Sequence, residues 1–117
     1  GSEISRMCKE VTDFLHENGV SFIADATTAT PYLVNALSLG ADVVIHSSSK
    51  YINGSGNSIS GIIVDGGKFK WDKDRYPAMK EYSKYGKFAY TARLRNDVWR
   101  IWWVSRANER LSQYFRA

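Results

Sequence analysis

An apolar run that ends in hydroxyl groups and an amine constrains this chain more than any other stretch. Residues 41–45 read Ala-Asp-Val-Val-Ile, and His46, three serines and Lys50 follow directly. Consecutive apolar residues of this kind are typical of a strand in a sheet that is covered on both faces. The sequence therefore predicts a buried strand with a polar cluster, Ser47–Lys50, just beyond its carboxyl end.

Helix and strand patterns alternate around this run. Apolar residues recur at three- and four-residue steps over residues 5–18, which predicts a helix with Ser5 as its N-cap and Gly19 as its stop. We expect strands at residues 20–25, 41–45 and 59–64. A short helix at residues 32–39 would begin after Pro31 and end before Gly40. This order predicts one α/β layer.

Residues 68–87 differ from the rest, because lysines and aromatic residues follow each other there without a clear period. We expect a long ordered loop or insertion whose aromatic side chains cover the edge of a core while the lysines face solvent. The alternative is stacking on nucleic-acid bases. The net charge of +4 gives this alternative little support, since residues 100–117 hold four arginines against one glutamate and so carry +3 of it.

Composition narrows the function classes further. The chain has 117 residues, 44% hydrophobic and 24% charged, which suits one globular domain with a modest core. No apolar run approaches the length of a membrane span. With one cysteine, Cys8, no internal disulfide can form, so a cytoplasmic location is expected. No cysteine–histidine cluster has metal-ligand spacing, and we expect no metal, no nucleic acid and no membrane partner.

Lys50 has three possible interpretations from the residues alone. It is a solvated surface lysine, the base of a Ser47-x-x-Lys50 acyl-transfer pair, or an amine that captures an aldehyde cofactor. The acyl-transfer motif requires a helix start, a Ser-Asp-Asn segment and a Lys-Thr-Gly segment. The last two are absent from the sequence, and the residues after Tyr51 suit a helix poorly.

Capture of pyridoxal phosphate needs three kinds of groups, and the chain offers all of them. A partly buried lysine can be neutral and nucleophilic. The hydroxyls of Ser47 and Ser49, with nearby backbone N–H groups, can hold a phosphate. Asp25 closes the preceding strand, and a carboxylate there can keep a pyridine nitrogen protonated. Because ligands of open α/β sheets bind beyond the carboxyl ends of strands, we expect these groups to face one crevice.

Three segments also resemble the Cys/Met-metabolism family of pyridoxal-phosphate enzymes. Residues 25–31, Asp-Ala-Thr-Thr-Ala-Thr-Pro, are similar to that family's Asp-Asn-Thr-Phe-Ala-Thr-Pro segment. Residues 40–54, Gly-Ala-Asp-Val-Val-Ile-His-Ser-Ser-Ser-Lys-Tyr-Ile-Asn-Gly, are similar to its lysine signature at the family's spacing. Residues 56–69 look most like the O-acetylhomoserine sulfhydrylase branch. The resemblance runs from about residue 3 to residue 100 and implies the large domain of a fold-type I, aspartate-aminotransferase-like enzyme.

The resemblance also implies roles for individual residues. Lys50 would form the Schiff base with pyridoxal phosphate and later move the substrate protons. Asp25 would pair with the pyridinium, and Ser47 and Ser49 would hold the phosphate. Thr27 would lie against the ring near a cofactor oxygen. The implied reaction is γ-replacement on O-acetylhomoserine, with sulfide or a thiol, to give homocysteine or a relative.

The sequence departs from the family pattern at four positions near this site. Ala26 and Thr28 stand where the family has Asn and an aromatic residue. Ser49 replaces a threonine but keeps the hydroxyl, and Ser55 replaces the usual histidine. These changes leave the branch open, so a cystathionine γ-synthase or γ-lyase is an alternative. A different kind of alternative is a cofactor-free truncated α/β module that self-associates; the family itself implies a homo-oligomer.

The last 17 residues do not resemble the family. We expect residues 3–100 to form part of the cofactor domain, and residues 101–117 to be an atypical tail. Codons allowed for Ile101 to Arg116, read one base later, can encode a continuation close to the family's. We hypothesise that a frameshift produced the tail and that the isolated chain is inactive. A coding sequence that cannot encode the shifted peptide would disprove the frameshift.

Overall fold

The computed structural model describes residues 2–99, which divide into two compact units at Phe69 and Lys70. The first unit contains helix α1, Ser2–Glu17; strand β1, Ile23–Asp25; helix α2, Thr30–Leu33; strand β2, Val43–His46; and strand β3, Ile62–Asp65. The second contains a 3-10 helix, Pro77–Phe88; helix α3, Ala89–Arg93; and a π-helix, Leu94–Trp99. The atypical tail predicted at residues 101–117 lies outside the described residues.

The three strands form one mixed sheet in the order β1-β2-β3. β1 and β2 are parallel, with Asp25 opposite Ile45. β3 runs antiparallel to β2, with Ile62 opposite His46 and Asp65 opposite Val43. The carboxyl ends of β1 and β2 therefore meet at the same edge of the sheet, and β3 begins at that edge.

The central strand is the buried part of this sheet. Val43 is fully buried and Val44 is 4% exposed, whereas Ile23 on β1 and Ile63 on β3 are about half exposed, at 47% and 50%. Coverage of both faces was therefore predicted correctly for β2 but not for its neighbours within the described residues. The core beside β2 is built from small and aliphatic residues: Ala26, Ala36, Ala41 and Val44, with Phe22, Ala24, Leu37 and Val64 packed against them.

Helix α1 begins before the predicted position, so Ser5 lies inside it and its prediction as N-cap was wrong. The predicted stop is confirmed. Gly19 has φ +67°, and its N–H donates to the His16 carbonyl at 3.0 Å. A positive φ favours glycine because it has no Cβ to clash with the backbone. Four apolar side chains on this helix are exposed: Ile4, Met7, Val11 and Phe14.

Asp42 connects α1 to the amino end of β2. Its carboxylate is 5% exposed, lies 2.7 Å from His16 Nε2 and accepts a 2.7 Å hydrogen bond from the Phe22 N–H. Close to it, Gly40 (φ +105°) lies against Thr12, so that a Cβ there would lie 2.5 Å from Thr12 Oγ1. Thr12 and His16 thus connect α1 to residues 40 and 42, just before β2, while these four apolar side chains of the helix stay exposed.

The predicted helix at residues 32–39 is shorter and lies earlier in the chain. α2 ends at Leu33 because Val34 is extended, with φ −138° and ψ 117°. Turns follow, and the Ala41 N–H donates to the Ala36 carbonyl at 3.0 Å. The three predicted strands exist with shifted bounds, and Ile59, expected in the third, is fully exposed.

The prediction of a loop over residues 68–87 was wrong from residue 77 onward, where the second unit is helical. The 3-10 helix begins at Pro77 and bends at Gly86, which has φ 55° and ψ −120°. The expected packing of aromatic residues on a core is confirmed. Trp71 stacks on Tyr90 and meets Tyr76 edge-on, with ring centroids 5.0 and 5.2 Å apart. These rings lie beside a small core of Met79, Tyr82 and Ala89.

Within residues 2–99, no helix is long and apolar enough to cross a membrane. The same residues contain no group of three or more His, Cys, Asp or Glu side chains that could hold a metal ion.

Candidate active site

Asp25 and Ser47 become neighbours because β1 and β2 are parallel and end together. Asp25 is the last residue of β1 and lies opposite Ile45. The ladder continues one step further, since the Ala26 N–H donates to the Ile45 carbonyl at 2.9 Å. Ser47 follows β2 directly. The predicted convergence of the two polar clusters at one sheet edge is therefore observed.

Thr27 joins the two clusters. Its backbone N–H and its hydroxyl both donate to Asp25 Oδ1, at 3.0 and 2.6 Å. The same hydroxyl oxygen accepts a 2.9 Å hydrogen bond from the Ser47 N–H. Thr27 thus fixes one carboxylate oxygen of Asp25 and ties it to the loop that follows β2.

The second half of the site is a turn in which Lys50 folds back on Ser47. Lys50 Nζ donates to Ser47 Oγ at 3.1 Å, and the hydroxyls of Ser47 and Ser49 lie 3.1 Å apart. The Lys50 backbone N–H donates to the Ser47 carbonyl at 3.3 Å. Hydrogen bonds therefore connect Asp25, Thr27, Ser47, Ser49 and Lys50 without a break.

Lys50 is exposed and lies in a turn. The predicted partial burial of the Lys50 side chain was therefore wrong for the described residues 2–99. Residues 48–53 form turns rather than a helix, so the helix start required for the acyl-transfer pair is missing there. The contact between Lys50 Nζ and Ser47 Oγ would by itself also suit a lysine-activated serine.

Asp25 is held in its charged form. The hydroxyl of Thr27 is the largest cause that lowers the pKa of this carboxyl below its ordinary value, and the Thr27 backbone N–H is the second. Burial acts in the opposite direction, and electrostatic interactions with His46 and Lys50 lower the pKa further. A carboxylate that accepts two hydrogen bonds stays ionised because both bonds favour its charged state. Asp25 therefore offers a negative charge to any ligand at this edge.

Sequence reasoning missed two buried residues beside the site. Ser48 is 7% exposed, and its hydroxyl lies 2.6 Å from that of Ser60, which holds the turn against the segment leading into β3. His46 is 5% exposed, and its Nδ1 has no hydrogen-bond partner among residues 2–99. Ser48 lies in a turn, so no periodic pattern in the sequence marks it as buried.

The loop after Lys50 is closed by its own polar groups. The Gly54 N–H donates to the Lys50 carbonyl at 2.7 Å, and Gly54 and Gly56 have φ +81° and +68°. Ser55, which stands where the resemblance expects histidine, donates its hydroxyl to Asn57 Oδ1 at 2.8 Å. Ser55 is thus engaged within the loop.

These groups fit a cofactor with a cationic ring nitrogen, an aldehyde and a phosphate. Asp25 supplies the negative charge, Lys50 the amine, and Ser47 and Ser49 the hydroxyl donors. Each is a chemical match for one part of pyridoxal phosphate. A plain surface lysine would not need the connected hydrogen bonds to a carboxylate on another strand.

Comparison with known proteins identifies the class of the chain. The model of the Cys/Met metabolism PLP-dependent enzyme family matches residues 6–90. The chain belongs to this family, which confirms the predicted membership, and pyridoxal phosphate is the family's cofactor.

Several of the similar proteins are named sulfhydrylases, and a cystathionine gamma-lyase of Dictyostelium discoideum is also similar, at 44% identity over 56 residues. The O-acetyl-L-homoserine sulfhydrylase of Leptospira meyeri is 40% identical over 95 residues, covering 73% of this chain and 20% of that protein. A solved O-acetylhomoserine sulfhydrylase of Wolinella succinogenes has a TM-score of 0.65 and 33% identity, covering 80% of this chain and 26% of the other. The chain thus spans about a fifth to a quarter of these relatives.

A second similar solved structure contains a lysine joined to the cofactor. It is a putative O-acetylhomoserine (thiol)-lyase of Campylobacter jejuni with a pyridoxyl-lysine monophosphate; the TM-score is 0.56 and the identity 29%, over 62% of this chain and 18% of that one. These neighbours confirm the predicted fold class, a part of the large domain of a fold-type I enzyme.

Proposed function

We propose that this chain carries the cofactor-anchoring segment of an O-acetylhomoserine sulfhydrylase. The reaction is replacement of the acetate of O-acetylhomoserine by sulfide or a thiol, which gives homocysteine or a relative and free acetate. The continuous set of hydrogen bonds from Asp25 through Thr27 and Ser47 to Lys50 is the observation that carries the proposal. The sulfhydrylase names of the relatives support the branch.

Five residues would hold pyridoxal phosphate. Asp25 would face the ring nitrogen, and Thr27 would lie beside the ring. Ser47 and Ser49 would donate their hydroxyls to the phosphate, and Lys50 would hold the aldehyde carbon. The donor set supports this assignment, because it places a carboxylate on one strand end and two hydroxyls with an amine on the next.

When bound, pyridoxal phosphate supplies an electron sink for cleavage of bonds at the substrate's α-carbon. The chain's own groups supply charge and proton movement. Asp25 keeps its negative charge because two donors from Thr27 favour the ionised form. Lys50 can take a proton only as a neutral amine. Ser47 Oγ, at 3.1 Å from Lys50 Nζ, orients that amine in the meantime.

Acetate leaves the γ-carbon only after protons have been removed closer to the amino group of the substrate. Lys50 carries the one amine in the connected set and is therefore the residue that we assign to this transfer. The same amine can return a proton when sulfide adds. The balance is one sulfide in and one acetate out, with no net change in oxidation state.

A chimera tests the function, because the chain spans 20% of the Leptospira relative. Residues 6–90 would replace the matching segment of that enzyme, and homocysteine formation from O-acetylhomoserine and sulfide would be measured. We expect turnover in the chimera and none in a matched chimera with Lys50→Ala. Cofactor absorbance would verify that both chimeras fold. A chimera that binds the cofactor but cleaves only cystathionine would contradict the branch.

We also propose, more broadly, an amino-acid substrate, a homo-oligomeric state and a cytoplasmic location. The exposed apolar side chains of Ile4, Met7, Val11 and Phe14 on α1 support association, since clustered exposed apolar residues often mark interfaces. The single cysteine supports a reducing compartment. Sedimentation of the purified chain would test association, and a monomer at all concentrations would contradict it.

A further inference from the structure

Two opposite charges share the site without forming an ion pair. Asp25 and Lys50 are close enough for the ammonium to lower the carboxyl's pKa. Within the described residues they do not contact each other. Asp25 Oδ1 is bound by Thr27, and Lys50 Nζ is bound to Ser47 Oγ instead.

An ion pair between these groups would impair both. A carboxylate on the ammonium favours the protonated amine, which cannot attack an aldehyde. The carboxylate itself would turn towards the lysine and away from a ring nitrogen. Since both side chains are exposed and have rotatable bonds, only specific contacts can keep them apart.

Thr27 is built for this separation. Its hydroxyl has one hydrogen, which goes to Asp25 Oδ1 at 2.6 Å, and its oxygen accepts the Ser47 N–H at 2.9 Å. The backbone N–H adds a second donor to the same Oδ1 at 3.0 Å. Because threonine is β-branched, its χ1 angle has few allowed values. Two contacts therefore fix Asp25 Oδ1, a third holds the Thr27 hydroxyl that makes one of them, and Oδ2 is left for a ligand.

An ordinary turn after a strand would explain only part of this arrangement. A hydrogen bond from residue i+2 back to an aspartate is common in loops. The bond from the Ser47 N–H is different, because Ser47 is 20 residues away and follows another strand. That bond sets the position of the hydroxyl relative to the Lys50 turn.

We propose that Thr27 is a positioning residue that keeps the Asp25 carboxylate and the Lys50 ammonium apart in the cofactor-free protein. It binds Asp25 Oδ1 and ties it to the backbone of Ser47. The amine is thereby left available for an aldehyde, and the carboxylate for a cation. The purpose of this separation rests on the proposed function. The separation itself is a property of the cofactor-free chain and can be measured in that chain.

The test is the reactivity of Lys50 towards a small neutral aldehyde. The cofactor-free chain is reductively methylated with formaldehyde, and mass spectrometry compares Lys50 with the exposed Lys73 as an internal reference. Thr27→Val removes the hydroxyl but keeps the shape, so Asp25 can pair with Lys50. We expect labelling of Lys50 to slow by about two- to fivefold, the range that an exposed ion pair produces. Thr27→Ser keeps the hydroxyl and should stay near the wild-type rate.

A second substitution separates positioning from a general structural effect. Asp25→Asn in the Thr27→Val background removes the competing carboxylate and should restore the labelling rate of Lys50. An unchanged rate in Thr27→Val, or a loss that Asp25→Asn does not restore, would overturn the proposal. Specific addition of pyridoxal phosphate to Lys50 in the wild-type chain is a separate result, so failure of the proposed function can be distinguished from failure of this inference.

Discussion

Replacing Gly40 by alanine tests how α1 is seated against the sheet. Gly40 has φ +105°, and a Cβ at this position would lie 2.5 Å from Thr12 Oγ1 and 3.0 Å from Thr12 Cγ2. Cβ atoms in proteins do not approach other atoms as closely as 2.5 Å, so the Thr12 side chain, the helix or the turn before β2 must move. That turn leads directly into the strand that ends at the candidate site.

The expected cost has two parts. A positive φ costs a residue with a Cβ about 1–2 kcal/mol. Forcing a methyl group into a filled space costs about 1–3 kcal/mol more. Gly40→Ala should therefore lower the free energy of unfolding by about 2–5 kcal/mol, a large part of the stability of a small domain.

Urea denaturation followed by circular dichroism measures this loss, and Gly54→Ala is the matched control. Gly54 also has a positive φ, +81°, but no atom lies within 4 Å of its added Cβ. It should show only the backbone cost of about 1–2 kcal/mol. Adding Thr12→Ala to Gly40→Ala should recover the steric part. Equal losses for the two glycine variants would refute the predicted contact with Thr12.

Two further predictions concern burial and pH. The Val43 side chain is fully buried, so Val43→Ala should lower the free energy of unfolding by about 2–3 kcal/mol through lost apolar burial and a cavity. A loss below about 1 kcal/mol would show that β2 does not lie in a packed core. The hydrogen bond to Asp97 is the main cause that raises the pKa of Tyr82 from 10.0 to about 12. Because the folded pKa is the higher one, this contribution to stability is complete below pH 10 and is lost as the pH rises through about 12. In Asp97→Asn, tyrosinate absorbance should show that Tyr82 loses its proton at a lower pH than in the wild-type chain. An identical titration in both proteins would contradict the hydrogen bond from Tyr82 to Asp97.

The site was largely predictable from the sequence, because strand ends carry its main groups. An apolar strand that stops at Asp25 and another that stops before Ser47 must present both at one edge if the strands are parallel and adjacent. The lysine then follows three residues later. Neither inference needs detailed packing, which is why the convergence of Asp25, Ser47, Ser49 and Lys50 could be foreseen.

The contacts between these groups could not be foreseen. The bond from the Ser47 N–H to Thr27 Oγ1 depends on how two loops from different strands come together, and no local pattern encodes that distance. The exposure of Lys50 also depends on packing outside the motif. The sequence predicted that Thr27 lies near a cofactor ring, and only the structure shows that it also donates two hydrogen bonds to Asp25 Oδ1.

The errors in the fold have similar causes. Ser2 and Ser5 are both polar residues near a helix start, and propensity does not decide between them. The predicted short helix at residues 32–39 ended at Leu33 because Val34 is extended. Lysines and aromatic residues after Lys68 lack a helical period, yet Pro77 begins a 3-10 helix that packs Tyr82 inward. In the last case, packing of Met79 and Tyr82 outweighed local preference.

We expect Lys50 to capture pyridoxal phosphate in a site that Asp25, Thr27, Ser47 and Ser49 prepare. The most direct measurement is addition of pyridoxal phosphate to the purified chain, reduction with borohydride and mass mapping of the labelled peptides, with Lys50→Ala in parallel. We predict a single adduct on Lys50 that is lost in the variant. Labelling scattered over the surface lysines and unchanged in Lys50→Ala would contradict it.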